Sequence, residues 1–146
     1  MTKTKAQQIM AATEVRAADD VTAAIQDIAA EFEPYIIKQR RHFHKPPELI
    51  LAEERTTSDI ANQLDAMNIP YERPLKTGLV ATLRGTAPDA YREDGTPRRR
   101  ILLRADIDAL PVTERNDCEW RSQNEGVMHA CGHDMPAAVL FGVLKT

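Results

Sequence analysis

The stretch GVMHACGHD, residues 126–134, constrains this chain more than any other part, because it groups side chains that bind soft metal ions. Cys131 and His133 lie two positions apart, with Gly132 between them. Side chains of an extended segment alternate between two faces, so this thiol and imidazole would point the same way. Zinc binds both groups readily, and manganese or cobalt are alternatives. The stretch therefore predicts a divalent metal site, with Asp134 placed to orient a ligand or to begin a helix.

The same spacing would also fit a buried thiol beside a surface histidine, and a second cluster favours the metal site over this alternative. The sequence RADIDALP, residues 104–111, places Asp106 and Asp108 two positions apart at the end of an apolar run. Carboxylates often support the ligands of a bound cation. We therefore expect both aspartates to lie near the Cys/His pair.

The composition favours a single cytoplasmic domain that acts on small molecules. The chain has 146 residues, enough to bury a core, and its 19 basic and 22 acidic residues give a net charge of −3. This balance does not favour binding to nucleic acid or to an anionic membrane. The sequence contains neither a signal-peptide pattern nor a run that could span a membrane. Because cysteine is rare, we expect Cys118 and Cys131 to be free thiols in a reducing compartment.

The first half of the chain is predicted to be mainly helical. Residues 1–18 are polar and alanine-rich, so we expect a flexible or weakly helical N-terminus before a folded region at residues 19–146. From Val21 onwards, apolar residues recur at steps of three and four, as in an amphipathic helix. Pro34 is expected to kink or restart this helix, and Pro46–Pro47 to end it.

Two further helices and a sheet follow in this prediction. A second helix is expected to be capped by Thr56, Thr57 or Ser58, and a third by Asp134. Two apolar runs rich in branched residues, 79–83 and 101–105, are predicted as strands of a largely buried sheet, with a shorter edge strand at residues 71–75.

Five collinear segments together resemble the N-terminal part of the metal-dependent aminoacylase and amidohydrolase family. They are RRHFHKPPEL, the helix that begins near EERTTS, TGLVATLRG, LLRADIDALPVTE and SQNEGVMHACGHD. The family includes hippurate hydrolases, N-acetyl-diaminopimelate deacetylases and auxin-conjugate hydrolases. The resemblance implies an α/β fold, an incomplete three-layer catalytic domain of the zinc-peptidase type with a mixed sheet flanked by helices. It covers the latter two thirds of the chain and well under half of a usual family member.

By this resemblance Cys131 and His133 are ligands of a two-metal site for zinc or manganese. Asp108 would support a ligand or catalytic group, and Asp106 and Asp134 would lie next to the metal ligands without binding the metal. Family members hydrolyse the amide bond of N-acyl amino acids: the metals polarise the carbonyl and activate water, and a glutamate moves the proton. That glutamate, the remaining ligands and a lid or dimerisation domain lie further along the chain in the family. We therefore expect a leading piece of a homo-oligomeric hydrolase, inactive alone and prone to self-association.

Two positions depart from the family pattern, and two other functions stay open. The family usually has a histidine where this chain has Pro136, and often has histidine or another polar residue at the position of Pro46. The first alternative is a stand-alone metal-binding module, in which the Cys/His pair gains an outside ligand such as His129 or Asp106. The second is a non-catalytic remnant that binds a protein partner through exposed apolar surface.

Overall fold

The computed structural model describes residues 18–145 and contains three helices and two short strands within that range. They are α1 (Ala18–His44), α2 (Glu54–Ala66), β1 (Tyr71–Glu72), β2 (Val80–Ala81) and α3 (Asp134–Lys145). The α/β class is confirmed, and the prediction for the N-terminus falls almost wholly outside the described residues. Helix α1 continues through Pro34 without a restart. No helix in this range is long and apolar enough to cross a membrane.

The core lies where α1 packs against α3. Its centre consists of four buried side chains, Phe43, Ala137, Ala138 and Phe141. The two phenylalanine rings lie 5.8 Å apart between centroids. The helices approach so closely at Gly142 that a Cβ atom there would lie 2.7 Å from Cδ1 of Ile36. This packing fixes the first turn of α3, which follows the Cys/His motif directly.

Helix α2 is capped by a residue that precedes it by several positions, so the predicted cap at residues 56–58 is wrong. The residue at the N-cap position, Glu53, makes no capping hydrogen bond with its side chain. The carboxylate of Glu48 instead accepts hydrogen bonds from the backbone N–H of Arg55 at 3.1 Å and of Thr56 at 2.7 Å. A negative charge at this end of a helix is also favoured by the helix dipole.

The sheet is much smaller than the sequence predicted. Strands β1 and β2 are antiparallel, with Tyr71 opposite Ala81 and Glu72 opposite Val80. The predicted strand at residues 101–105 is wrong, since these residues form no strand, and Ile101 and Leu102 are 87% and 88% exposed. A strand of branched residues is stable only when neighbouring strands pair with it and cover its faces. No described strand does so for this segment.

Three segments meet at isolated bridges beside the Cys/His motif. Leu49 pairs with Ala109 in parallel, and Leu110 pairs with Met128 in antiparallel fashion. The N–H of Ala109 donates to the carbonyl of Glu48 at 2.7 Å, and Leu110 and Met128 exchange two hydrogen bonds of 2.9 and 3.0 Å. These bridges bring the acidic cluster alongside the segment that carries the predicted metal ligands.

Candidate metal centre

The Cys/His motif folds as a turn leading into α3, so the extended conformation that its spacing suggested is wrong. Gly132 has a φ of 82°, a left-handed conformation that glycine adopts without steric cost. Its N–H donates to the carbonyl of His129 at 3.2 Å, which closes the turn. Cys131 is exposed on this turn, His133 is half-buried and His129 is buried. Both Cys118 and Cys131 are free thiols, as expected.

The ring of His133 lies against Asp108, which comes from the acidic cluster. Its Nδ1 atom is 2.9 Å from Oδ1 of Asp108 and 3.2 Å from the backbone oxygen of the same residue. Both oxygens can only accept, so in the neutral ring Nδ1 carries the proton and Nε2 keeps its lone pair. Histidines that bind a metal through Nε2 are commonly oriented in this way by a carboxylate. The thiol of Cys131 and Nε2 of His133 are therefore suitable donors for a divalent cation.

Asp106, the other predicted aspartate of the acidic cluster, contacts Arg104 rather than the Cys/His motif. Oδ1 of Asp106 lies 2.6 Å from a guanidinium nitrogen of Arg104, and no described polar contact joins it to Cys131 or His133. Among residues 18–145, no group of three or more His, Cys, Asp or Glu side chains is arranged to hold a metal ion. The described part of the chain thus provides two donor side chains, those of Cys131 and His133, and the carboxylate of Asp108, which contacts His133.

Asp134 does not cap α3 as predicted but is its first residue, and its carboxylate contacts side chains of α1. Oδ2 lies 2.7 Å from Nδ1 of His44. The same oxygen is 2.8 Å from Nε of Arg40, an ion pair without hydrogen-bond alignment. The side chain of Asp134 is fully buried, and a buried carboxylate needs such partners because its desolvation is costly. The carboxylate of Asp134 therefore contacts His44 and Arg40 instead of capping α3.

The second nitrogen of His44 contacts another buried carboxylate, that of Glu114. Nε2 lies 3.2 Å from Oε1, and both side chains are only 2% exposed. Glu114 also accepts hydrogen bonds from the N–H of Ser122 at 2.6 Å and from the amide of Asn116 at 3.1 Å. Burial by itself would raise the pKa of Glu114. These hydrogen bonds and the nearby ring of His44 nevertheless hold that pKa below its ordinary value of 4.5.

Sequence reasoning did not single out Arg40, His44 or Glu114, although two of them carry a detectable signal. Ile36, Arg40 and His44 are spaced by four residues, so they share the face of α1 that packs against α3. Ionisable side chains that continue an apolar stripe indicate buried partners of opposite charge. Glu114 has no comparable signal, since it lies in an irregular segment and its contact with His44 spans 70 positions.

His129 lies beside this polar cluster, with its ring centroid 6.1 Å from that of His44. Its Nδ1 atom is buried and has no hydrogen-bond partner within the described structure. Burial lowers the pKa of His129 from its ordinary value of 6.5, while the carboxylate of Asp134 acts in the opposite direction. The ring is therefore neutral at physiological pH and has an unused polar atom facing the interior.

Residues 102–146, which contain all the predicted site residues, match peptidase family M20/M25/M40. The matched segment makes up about a third of the chain. Similarity to known proteins also extends from residue 102 towards the N-terminus. Over 111 residues the chain is 47% identical to an uncharacterized hydrolase of Staphylococcus epidermidis and 49% identical to one of Staphylococcus haemolyticus. Each match covers 76% of this chain and 26% of the relative, so the chain spans about a quarter of these relatives' length.

Two solved structures share the fold of this chain. The Bacillus subtilis YXEP protein, described as a dinuclear metal binding peptidase from the M20 family, is 35% identical with a TM-score of 0.61. That match covers 76% of this chain and 31% of YXEP. A proposed aminohydrolase from methicillin resistant Staphylococcus aureus is 34% identical, with a TM-score of 0.67 and coverage of 83% and 31%.

Proposed function

We propose that this chain is the metal-binding N-terminal part of a hydrolase that cleaves the amide bond of N-acyl amino acids. The observation that carries the proposal is the contact between Asp108 and the His133 ring, which leaves Nε2 available two residues along the chain from the thiol of Cys131. The similarity to M20 hydrolases and to a dinuclear metal binding peptidase supports the same chemistry.

In this proposal Cys131 and His133 hold a divalent cation, zinc or manganese, as two ligands of a dinuclear site. A cation bound there would polarise the acyl carbonyl and lower the pKa of a water molecule. Asp108 keeps the His133 ring in the tautomer that exposes Nε2, and it strengthens that nitrogen as a donor through the hydrogen bond on Nδ1. The glutamate that accepts the proton, and the remaining ligands, are proposed to lie outside residues 1–146.

The test begins with the 146-residue chain and the two free cysteines, which provide a matched pair of variants. We expect zinc binding, measured by calorimetry, to be lost in Cys131→Ser and retained in Cys118→Ser, because Cys131 lies on the same turn as His133 and Cys118 lies in a separate segment. We expect no hydrolysis of an N-acetyl or N-benzoyl amino acid by this chain alone. Turnover by the chain alone that Cys131→Ser abolishes would contradict the assignment of the general base to another segment.

The hydrolase assignment itself is tested in the native gene product. Its intact mass and the coding DNA beyond the codon for Thr146 establish the length of the polypeptide. We expect the longer product to release the free amino acid, and Cys131→Ser to abolish that release while Cys118→Ser does not. A native product that ends at Thr146 and binds zinc without hydrolysis would instead identify a stand-alone metal-binding module.

A further inference from the structure

We propose that His44 is a positioning residue for the turn that carries Cys131 and His133. The inference rests on the proposed metal site, since it concerns the orientation of that site's ligands. His44 is the last residue of α1 and has no described contact with either ligand. It acts through two carboxylates that are connected to opposite ends of the Cys/His motif.

The ring of His44 is fixed in orientation. It is 2% exposed, with Nδ1 2.7 Å from Asp134 and Nε2 3.2 Å from Glu114. Each ring nitrogen therefore has a buried carboxylate oxygen within hydrogen-bond distance. A rotation of the ring would break both charge-assisted hydrogen bonds within the interior, where unpaired carboxylates are costly.

Asp134 connects this ring to the C-terminal end of the motif. Asp134 directly follows His133 and is the first residue of α3. Its carboxylate is fully buried and bound to His44. The backbone that leaves His133 is therefore held from the side of α1, and the direction of the His133 side chain depends on this attachment.

Glu114 connects the same ring to the N-terminal end of the motif. Oε2 of Glu114 accepts the N–H of Ser122 at 2.6 Å, and the hydroxyl of Ser122 donates to the carbonyl of Val127 at 2.7 Å. Val127 precedes the turn by a few residues, so the path from His44 reaches the motif before Cys131. A single buried ring thus fastens both ends of the segment that carries the two proposed ligands.

The chain contains a matched control for this role. His42 lies on the same helix two residues earlier, but its side chain is 45% exposed and its Nε2 contacts Asp59 at 2.7 Å. Its partner belongs to α2, which has no residue in the proposed metal site. Replacement of His42 removes a histidine from the chain without touching the connection between His44 and the motif.

The experiment is a Co²⁺ titration of the 146-residue chain, followed through the thiolate-to-cobalt charge-transfer band. Cys131→Ser should abolish this band. We expect His44→Gln to raise the dissociation constant at least about tenfold, the scale typical of residues that orient metal ligands. We also expect an altered band position, whereas His42→Gln should leave both unchanged. Thermal unfolding of the metal-free variants is recorded in parallel, because a purely structural role of His44 would lower stability without changing the band of the folded protein.

The outcomes separate the two proposals. If the parent chain shows no thiolate band, the proposed metal site fails, and this inference fails with it. If the parent binds Co²⁺ and folded His44→Gln binds it equally well with the same band, only the positioning role is overturned. If His44→Gln does not fold, Glu114→Gln is titrated in its place. A weakened, shifted band in Glu114→Gln supports the role, and an unchanged affinity and band overturns it.

Discussion

Glu114 is a buried carboxylate that neighbouring hydrogen-bond donors and the distant His44 keep ionised. Its pKa lies below the ordinary value of 4.5, because hydrogen bonds from Ser122 and Asn116 and the ring of His44 outweigh the effect of burial. A carboxyl group whose pKa is lowered on folding stabilises the protein fully above its unfolded pKa. That stabilisation disappears as the pH falls through the lower pKa of the folded state. The ionised form of Glu114 therefore favours folding at neutral pH.

We predict that Glu114→Gln lowers the free energy of unfolding at pH 7 by about 1–3 kcal/mol, because a buried charge-assisted network loses a member. The difference between parent and variant should shrink as the pH is reduced below 4.5, where the parent becomes protonated. Urea unfolding at a series of pH values measures both effects. Glu119→Gln, an exposed change in the same segment, serves as the control and should have little effect. A difference that stays constant down to pH 2 would contradict the role assigned to the charge.

At the scale of single elements, the N-terminus of α2 depends on the Glu48 carboxylate. Three hydrogen bonds converge on it, from the N–H groups of Arg55 and Thr56 and from the hydroxyl of Thr56. We predict that Glu48→Ala lowers the free energy of unfolding by about 1–2 kcal/mol, the usual loss when a helix cap is removed. Chemical denaturation followed by far-ultraviolet circular dichroism measures this change.

Glu54→Ala is the matched control for the capping prediction. Glu54 is also acidic and lies in the first turn of α2, but its side chain is exposed and contacts only the exposed Lys76 at 2.5 Å among the described ion pairs. Exposed ion pairs contribute little to stability, so this change should cost well under 1 kcal/mol. Equal losses in both variants would show that general charge at the helix terminus matters, rather than the hydrogen bonds of Glu48.

The sequence predicts the helices more accurately than it predicts the strands or the cap of α2. Periodicity predicted the helices because helical hydrogen bonds are local, and the stripe that includes Ala61 and Leu64 is indeed buried. The cap of α2 was not predicted because the capping carboxylate, that of Glu48, lies outside the helix. The strands were predicted too long because a strand depends on neighbours that the run itself does not contain.

The candidate site shows the same division between local and distant signals. The Cys/His motif and the acidic cluster are local patterns, so the sequence alone indicated both of them. The structure brings Asp108 to His133, but Asp106 contacts Arg104 instead. The motif forms a turn at Gly132, and the two-residue spacing of Cys131 and His133 does not specify that turn. The role of His44 depends on Glu114, 70 positions away, and on Asp134, 90 positions away.

At the scale of the whole molecule, the most unusual surface is the apolar run Ile101, Leu102 and Leu103. These side chains are 56–88% exposed. Within the described part of the chain, no backbone hydrogen bond joins residues 101–107 to another segment. Unpaired backbone and adjacent apolar side chains together favour pairing with another strand.

We predict that the 146-residue chain self-associates reversibly as its concentration rises, and that Leu102→Lys raises the concentration at which this occurs about tenfold or more. A lysine on an unpaired strand segment opposes edge-to-edge pairing because the charge would have to be desolvated. Ile25→Lys is the control, since Ile25 is also exposed, at 62%, but lies on α1. Sedimentation velocity over a range of concentrations measures the association. A chain that stays monomeric throughout would contradict the prediction, and equal effects of both variants would indicate general hydrophobic contact rather than pairing through residues 101–107.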